Sequence, residues 1–459
     1  MNRTRTSPLD AFGLRDQRNR IYPTMEGGDG STLSLDFTTM TSLDSRFTFT
    51  RASTATFINS SGLVTTMAAA STNDPTKARF DYDPATLAPR GLLIEGSATN
   101  LLLNSSTFSG YNFVNSTLSA SDTAPDGGSA QLLRENISAT TTYQMTSGSR
   151  TVTSGSATTF SCFVKAATTP RRYLVFRVND NSSNANAASL IFDTQTRTVS
   201  GAATAYGTWS AVSSQVTPFG SWDRVELRFT PAVATVNCKW ELSDTNTRTA
   251  DGQANSYTGG TTAGILVWGA QLETGSGASS YIPTGTSTVQ RAADQMTMTN
   301  ISALNFNQSG GTVFMQIDGN PKDVNTFPYF AAFEQSPSGR GWSFLRLNNS
   351  TSSGLRMLGI AFSIPTTNVL ITSSNHTRPS GKFKFATTLE PAVCRMTYVI
   401  AGGSALVDTT TAGPFPTIGS LKFNNTTETS AADFGSVWIS QFKYWPSVLP
   451  NATLQSLTQ

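Results

Sequence analysis

The sequence has few charged residues and few of the residue types that build metal sites and nucleophilic sites. Only 13% of its 459 residues are charged, about half of the ~25% usual in soluble proteins. The single histidine, His376, excludes any metal site with two histidines. Because Ser-His-Asp and Cys-His arrangements would all depend on this one residue, we interpret it as a surface side chain. Cys162, Cys238 and Cys394 are far apart and odd in number, so we expect buried free thiols rather than a zinc cluster or a disulfide framework.

Long apolar runs are also missing. No stretch of 18 apolar residues occurs, which excludes a transmembrane helix. The N-terminal segment lacks the apolar region of a secretory signal, so we expect a protein made in a reducing cytoplasm. The net charge of +3 is too small to indicate nucleic-acid binding over the whole surface. Residues 1–20 hold five arginines and two aspartates, so this segment alone accounts for the net charge.

Serine, threonine, asparagine and glycine take the place of the missing charges, and many segments alternate between apolar and polar residues. Clear examples are Thr158–Ala166, Tyr173–Asn179, Arg224–Thr230 and Thr312–Asp318. Each is bounded by turn residues, which is typical of antiparallel strands. A helix is indicated only near the end, in "LPNATLQSLTQ". The pattern predicts an all-β protein with tandem jelly-roll or β-sandwich domains, preceded by an extended N-terminal arm.

Pauses in the strand pattern suggest four parts. The predicted parts are an attachment arm (1–30), an N-terminal β module (31–104), a jelly roll (105–295) and a C-terminal β-sandwich (303–459). The glycine-rich "EGGDGS" follows the arm, and "QRAADQMTMTN" precedes the last part. We expect residues 303–459 to fold alone.

Several sequence segments, which follow one another in the expected order, resemble known protein modules. "LDFTTMTSLDSRFTFTRASTATFINSSGLVTT", "ARFDYDP" and "RGLLIEGSATNLLLNSSTFS" resemble the shared N-terminal module of many bacteriophage virion proteins, which are tail-fibre, head-fibre and minor structural proteins. "FSCFVKA", "GSWDRVELRFT" and "AGILVWGAQLETGSGASSYIPT" are similar to a jelly roll of the carbohydrate-binding-module type. "TVFMQID" and "SVWISQFKYWPSVLPNATLQSLTQ" are similar to laminin-G or concanavalin-like sandwich domains.

This resemblance implies a non-enzymatic structural protein of a phage virion. Such a chain would be a fibre or appendage, anchored by its N-terminus to capsid, neck or tail proteins and presenting its lobes to a host surface or glycan. It also implies a homotrimer, located in the virion and made in the host bacterial cytoplasm. The expected docking residues of the arm are Arg3, Arg5, Phe12, Leu14, Arg15, Arg18, Arg20 and Tyr22. The alternatives are a glycan-depolymerising tailspike and a passive capsid decoration protein.

Tryptophans beside turns are the candidate glycan-binding residues. Trp209 and Trp222 follow turn residues, and Trp342 begins a strand. The alternative role of Trp209 and Trp222 is packing at the sandwich edge. The remaining tryptophans lie within apolar strands and are expected in the core: Trp240, Trp268, Trp438 and Trp445.

Other candidate sites give weaker signals. We interpret Arg51 as a structural residue, with Glu95 as a possible ion-pair partner. No cofactor and no metal site are expected, although calcium could bind at Asp244, Asn246 or Asp251. A depolymerase would need paired carboxylates. The candidates in the middle domain are Asp180, Asp223, Glu226, Glu241 and Asp244.

Overall fold

A computed structural model describes most of the chain. The described residues are 29–320, 329–335, 340–347, 354–356, 358–364, 367–372, 376–377, 382–390, 395–400, 403–409, 417–423 and 436–459. The predicted docking residues of the arm, Arg3 to Tyr22, lie outside the described residues, and so does Cys394.

The fold is all-β, as the sequence predicts. The strands of the first half are β1 (Leu33–Asp36), β2 (Thr48–Thr50), β3 (Ala55–Ile58), β4 (Val64–Met67), β5 (Arg79–Tyr82), β6 (Pro89–Glu95), β7 (Ala98–Asn100), β8 (Asn112–Val114), β9 (Ser116–Thr123), β10 (Ser129–Glu135), β11 (Thr140–Thr141), β12 (Tyr143–Thr151), β13 (Thr158–Ala166), β14 (Tyr173–Asp180), β15 (Ala187–Asp193), β16 (Thr198–Val199), β17 (Thr204–Tyr206), β18 (Ser210–Phe219) and β19 (Trp222–Thr230).

The second half continues with further strands and ends in a helix. These elements are β20 (Thr235–Ser243), β21 (Tyr257–Thr258), β22 (Gly264–Thr274), β23 (Val289–Arg291), β24 (Gln295–Met298), β25 (Gly311–Asn320), β26 (Tyr329–Gln335), β27 (Arg340–Leu347), β28 (Gly354–Arg356), β29 (Leu358–Ile364), β30 (Thr367–Thr372), β31 (His376–Thr377), β32 (Phe383–Glu390), β33 (Arg395–Ile400), β34 (Leu406–Thr409), β35 (Ser420–Phe423), β36 (Ser436–Trp445) and α1 (Asn451–Thr458). Short 3₁₀ turns occupy Pro75–Lys77 and Ile301–Leu304.

The middle of the chain forms a jelly roll of two packed sheets. One sheet has the strand order β18-β19-β13-β22-β10-β9, and the other has β16-β15-β14-β20-β12-β8 with β17 beside β15. Phe160, Phe176 and Trp240 meet between the sheets, with ring centroids 4.3 to 5.9 Å apart. Cys162 and Cys238 are free and fully buried in this core, which confirms the prediction for these two thiols.

The two ends of the chain build a second sandwich together. Its eight-stranded sheet has the order β34-β33-β32-β25-β36-β6-β5, with β1 also paired to β36, and its seven-stranded sheet has the order β2-β24-β35-β26-β27-β28-β31. Leu33 lies opposite Tyr444, and Leu92 lies opposite Ile439. We call this unit the composite sandwich.

This strand pairing differs from the predicted division of the chain. Residues 31–104 and 303–459 contribute strands to common sheets, and the jelly roll lies between them in sequence. The physical reason is that β1 and β6 both pair with β36 and bury their apolar side chains in a cluster built from both ends of the chain. Phe49, Met315 and Phe442, for example, share one buried cluster.

The predicted C-terminal helix is present as α1. It follows Pro450, which has an extended conformation at the N-cap position. Its buried residue Leu454 packs in a small cluster with Phe314, Val399 and Trp445. Within the described part of the chain, none of the helices has the length and apolar character needed to cross a membrane.

Candidate functional site

Five charged side chains form a buried cluster where the jelly roll meets the composite sandwich. We call Arg51, Arg79, Glu95, Arg291 and Asp294 the junction cluster, and each is at most 2% exposed. Arg51 Nη1 lies 3.0 Å from Asp294 Oδ1, and Arg79 bridges Asp294 and Glu95, with 2.7 Å from its Nη1 to Glu95 Oε2. Arg291 Nη1 lies 3.1 Å from Glu95 Oε2. The predicted partner of Arg51 was Glu95. The structure instead pairs Arg51 with Asp294, and Glu95 joins the cluster through Arg79.

Backbone carbonyls accept further hydrogen bonds from the three arginines. Arg51 donates to the carbonyl of Ala68 at 2.8 Å, Arg79 to that of Thr56 at 2.7 Å, and Arg291 to that of Gly96 at 2.6 Å. These bonds matter because buried charges are stable only when they are paired and hydrogen-bonded.

The charges of the cluster affect each other's titration. Burial lowers the pKa of Arg51, and the neighbouring Arg79 and Arg291 lower it further against the effect of Asp294. Burial opposes the charge of Arg79 as well, but the carboxylates of Asp294 and Glu95 outweigh it and raise the pKa of Arg79. An arginine side chain stays protonated in proteins, so both guanidinium groups are cations paired with carboxylates. We interpret the cluster as structural.

The junction cluster also holds the chain segment that leaves the jelly roll. Ser280 donates to Glu95 twice, from its backbone N–H to Oε1 at 2.9 Å and from its Oγ to Oε2 at 2.6 Å. Arg291 Nη1 donates to Ser280 Oγ at 2.9 Å. The phrase "TGSGASSYIPT" thus links the last long strand of the jelly roll to β6 of the composite sandwich.

A cleft of about 390 Å³ lies beside this junction. We call it the inter-lobe cleft. Its walls come from the β3–β4 hairpin, from β5 and β6, from Asp318 and Trp438 of the composite sandwich, and from β13, β18, β19 and the segment 278–281 of the jelly roll. Its volume is within the range of ligand-binding pockets, about 300 to 1,000 Å³.

On the composite-sandwich side, the cleft presents a carboxylate and a stacked guanidinium. Asp81 accepts hydrogen bonds from the backbone N–H of Ile58 and from Nε1 of Trp438, the latter at 2.6 Å. Burial raises the pKa of Asp81 to about 6, although these two hydrogen bonds oppose the shift. Arg90 Cζ lies 3.4 Å above the Trp438 ring centroid, and its Nη2 lies 2.7 Å from Asp318 Oδ2.

On the jelly-roll side, the wall is built by outward side chains of β18 and β19. Glu226 accepts from Arg228 Nη2 at 2.9 Å and from the backbone N–H of Ala278 at 3.1 Å. Arg224 donates to the carbonyl of Ser279 at 2.7 Å. Its Nε atom is buried without a hydrogen-bond partner among the described residues. Gln215 and Thr217 complete this wall.

The structure buries two of the three predicted glycan-binding tryptophans. Trp209 and Trp222 are each 4% exposed. Trp209 stacks on Phe229 with centroids 5.2 Å apart, and Trp222 lies in the cluster between the lobes and donates from Nε1 to the carbonyl of Thr123. A sugar needs an accessible ring face, so the burial favours the packing role. The side chains of Trp342 and His376 are outside the described part.

Three of the four tryptophans predicted in the core are buried there, and one is not. Trp240, Trp268 and Trp445 are at most 2% exposed. Trp438 is only half-buried and lines the inter-lobe cleft. This corrects the prediction for Trp438. The strand alternation explains the difference, because Val437 and Ile439 point into the core and Trp438 therefore points to the other face.

The candidate acids of the jelly roll have separate structural partners. Asp180 accepts from the backbone N–H of Ser182 at 2.8 Å, and Asp223 pairs with Arg197 at 2.8 Å. Asp223 and Glu226 are three positions apart on β19, so they lie on opposite faces of the sheet. Glu241 accepts from the backbone N–H of Ala254 at 2.7 Å, and burial raises its pKa.

The weak calcium candidates lie in or beside a loop over the jelly roll. The carboxylate of Asp251 accepts from the side chains of Thr249 and Gln253, and Asp244 is exposed. Among the residues that the structure describes, no group of three or more His, Cys, Asp or Glu side chains is arranged to hold a metal ion.

Sequence reasoning missed the inter-lobe cleft itself. Its polar lining comes from phrases that are distant in sequence, and Asp81 and Trp438 are 357 positions apart. Alternation in β36 did not supply the signal, because a β-bulge shifts the register between Ile439 and Gln441, and Phe442 and Tyr444 are buried as well as Val437 and Ile439. The presence of an acid in "ARFDYDP" gave no indication of its partner.

Comparisons with known proteins gave structural similarities only. No protein-family model and no curated protein sequence matches the chain. It is similar to the CBM40 of the Ruminococcus gnavus IT-sialidase bound to α2,3-sialyllactose, with a TM-score of 0.27 and 14% identity over 33% of this chain and 84% of that chain. A structure concerning cell entry of botulinum neurotoxin type C gives a TM-score of 0.27 and 17% identity over 36% of this chain and 40% of that chain. Trypanosoma rangeli sialidase in complex with sialic acid gives a TM-score of 0.24 and 9% identity over 75% of this chain and 62% of that chain. We draw no functional conclusion from similarities at this level.

Proposed function

We propose that this chain is a structural protein of a bacteriophage particle. In this proposal it is an appendage or fibre subunit that is anchored through its N-terminal arm to capsid, neck or tail proteins. It forms a homotrimer and attaches the particle to a host-surface glycan without turning the glycan over. The alternative within a virion role is a passive capsid decoration protein, which would bind no glycan.

One observation carries this proposal: the phrases that resemble phage virion proteins supply most of the junction cluster. Arg51 belongs to "FTRAST", Arg79 to "ARFDYDP" and Glu95 to "GLLIEG", while Arg291 and Asp294 come from the neighbouring "QRAAD". The five charges pair with one another at the edge of the composite sandwich, and Glu95 and Arg291 also bind Ser280 in the segment that leaves the jelly roll. A rigid two-lobed body suits an appendage, which has to hold its binding surface at a fixed distance from its anchor.

The charge distribution of the candidate acids supports a role without catalysis. Asp223 and Glu226 are each held by an arginine, Arg197 and Arg228. A retaining or inverting glycosidase needs two carboxylates that face one another across a substrate, and these two lie on opposite faces of one sheet.

The experiment that tests the proposal is the incorporation of the chain into particles. Deleting residues 2–26 should leave a folded protein, with unchanged circular dichroism and melting temperature, that no longer enters particles. Mass spectrometry of gradient-purified virions measures the copy number for the full chain and for the deletion variant. Incorporation of the variant at the normal copy number would refute anchoring by the arm, and absence of the full chain from particles would refute the virion role.

A second candidate function, glycan hydrolysis, is favoured by one observation. The inter-lobe cleft holds Asp81, whose pKa is raised to about 6, together with the carboxylate of Glu226. Glycosidases use two carboxyl groups, one of which has a raised pKa. Release of reducing ends from a bacterial-surface polysaccharide, lost in Asp81→Asn and in Glu226→Gln, would select this function. We expect no release.

A further inference from the structure

We propose that the inter-lobe cleft is a binding site for a neutral saccharide of about one or two rings. The inference rests on the proposed role in glycan attachment, and it names the site and the class of sugar. It replaces the buried Trp209 and Trp222 as the place of binding.

The lining of the cleft combines rings and hydrogen-bonding groups in the way that a sugar requires. Phe57 is half-buried and supplies an aromatic surface against which the C–H face of a pyranose can pack, while the buried rings of Phe219 and Tyr281 lie beneath the cleft and support its shape. Asp81 and Glu226 supply carboxylate oxygens, and charge-assisted hydrogen bonds to hydroxyl groups are stronger than neutral ones.

The donors and acceptors retain capacity for a ligand. Each carboxylate oxygen of Asp81 accepts one described hydrogen bond and has a second lone pair. The Nε of Arg224 is buried without a described partner, although a buried donor normally has one. Gln215 is exposed at the rim, where its Oε1 accepts from Arg228 Nη2 and its Nε2 donates to Thr217 Oγ1 at 3.5 Å, which leaves it one N–H and one lone pair for a ligand. A hydroxyl group both donates and accepts, so a polyol can satisfy this mixed set.

The charges select a neutral sugar over an acidic one. Four carboxylates line the cleft, those of Asp81, Glu95, Glu226 and Asp318. Glu95, Glu226 and Asp318 are each paired with at least one arginine. The described partners of Asp81 are two uncharged N–H groups, so Asp81 is the carboxylate whose charge an anionic sugar would meet. A sialic or uronic acid would place a further carboxylate among these groups, where repulsion is poorly screened because the site is partly closed to water.

Binding is tested with the full chain and named probes. Cellobiose, lactose, maltose and chitobiose are the neutral probes, and 3′-sialyllactose and digalacturonic acid are the anionic ones. Isothermal titration or ligand-observed NMR gives the dissociation constant. We expect binding of at least one neutral probe and at least tenfold weaker binding of the anionic probes.

Variants on strand β18 locate the site. Thr217→Trp fills the cleft and should abolish binding, whereas Ser213→Trp is the matched control on the same strand and face, outside the cleft lining. Gln215→Ala removes one hydrogen-bonding side chain and should weaken binding about 3- to 10-fold. It serves as the second test if Thr217→Trp fails to fold by circular dichroism.

The outcomes separate this inference from the proposed function. Neutral sugar bound equally well by Thr217→Trp and Gln215→Ala would overturn the cleft as the site, while the attachment role would stand. Preference for the anionic probes would overturn the class of sugar. Failure of every probe to bind would overturn the inference, and the particle-incorporation experiment decides the virion role independently.

Discussion

Replacing Asp294 by asparagine is the sharpest test of the junction cluster. Asp294 Oδ1 pairs with Arg51 at 3.0 Å, and its Oδ2 pairs with Arg79 and accepts the backbone N–H of Glu95 at 2.9 Å. Asparagine keeps one acceptor oxygen and turns an N–H₂ toward groups that are themselves donors. Arg51 would then lose its carboxylate partner in the cluster, and Arg79 and Arg291 would share the carboxylate of Glu95.

The expected cost follows from the burial of the cluster. Removing one partner of a buried ion pair lowers the free energy of unfolding by about 3 to 5 kcal/mol, because the other charge stays buried without compensation. For a unit the size of the composite sandwich, 1 kcal/mol shifts the melting temperature by about 2 to 4 °C. We therefore expect Asp294→Asn to lower the melting temperature of this lobe by roughly 10 °C.

Differential scanning calorimetry measures this shift, and a surface pair provides the control. Asp122 pairs with Lys165 at 2.8 Å, with side chains 37% and 25% exposed, so Asp122→Asn should cost at most about 1 kcal/mol. In a double-mutant cycle, Arg51→Met combined with Asp294→Asn should cost less than the sum of the single variants, because the first change removes a charge that the second leaves unpaired. A melting temperature for Asp294→Asn equal to that of Asp122→Asn would refute the structural role of the cluster.

Three further predictions follow from burial and topology. Because the folded pKa of Asp81 is raised from 3.8 to about 6, its contribution favours the fold at low pH and is lost as the pH rises toward and above 6. Asp81→Asn removes this dependence, and urea titrations at pH 5 and pH 8 should show the wild type losing about 1.5 kcal/mol more than the variant; equal losses would contradict the raised pKa. Burial raises the pKa of Cys162 to about 12, so a Cys394→Ser variant should expose no thiol to Ellman's reagent until it unfolds, and rapid labelling of the native variant would show that the jelly-roll core is open. Residues 101–286 should fold alone, since their two sheets are complete, whereas residues 303–459 should not, since they lack β1, β2 and β6; circular dichroism of each fragment decides, and a folded 303–459 would show that these strands are dispensable.

The local elements were readable from the sequence because strand alternation is a local property. The predicted strand Thr158–Ala166 is β13, and Tyr173–Asn179 is β14 apart from one residue. The helix at the end of the chain was indicated in the same way. Each of these depends only on side chains that are neighbours in sequence.

Partners that are distant in sequence could not be predicted in this way. Arg51 and Asp294 are 243 positions apart, and no periodicity specifies which acid meets which arginine. The inter-lobe cleft is missed for the same reason, because both of its walls exist only once the lobes are in contact. The two turn-adjacent tryptophans were misleading because the surface under each turn is covered, Trp222 by the neighbouring lobe.

The pairing of the first described strand with the last one constrains the order in which the two lobes can fold during synthesis. The carbonyl of Asp29 accepts from Trp445 Nε1, 416 positions away, and β1 lies directly on β36. At about 5 to 20 residues per second, a ribosome needs roughly 20 to 80 seconds to reach β36 after it has made β1. The jelly roll can fold completely in this time, while β1 and β6 still lack their partner strand β36. A chain whose synthesis stops early therefore cannot close the composite sandwich, and its apolar first strands remain available to chaperones and proteases.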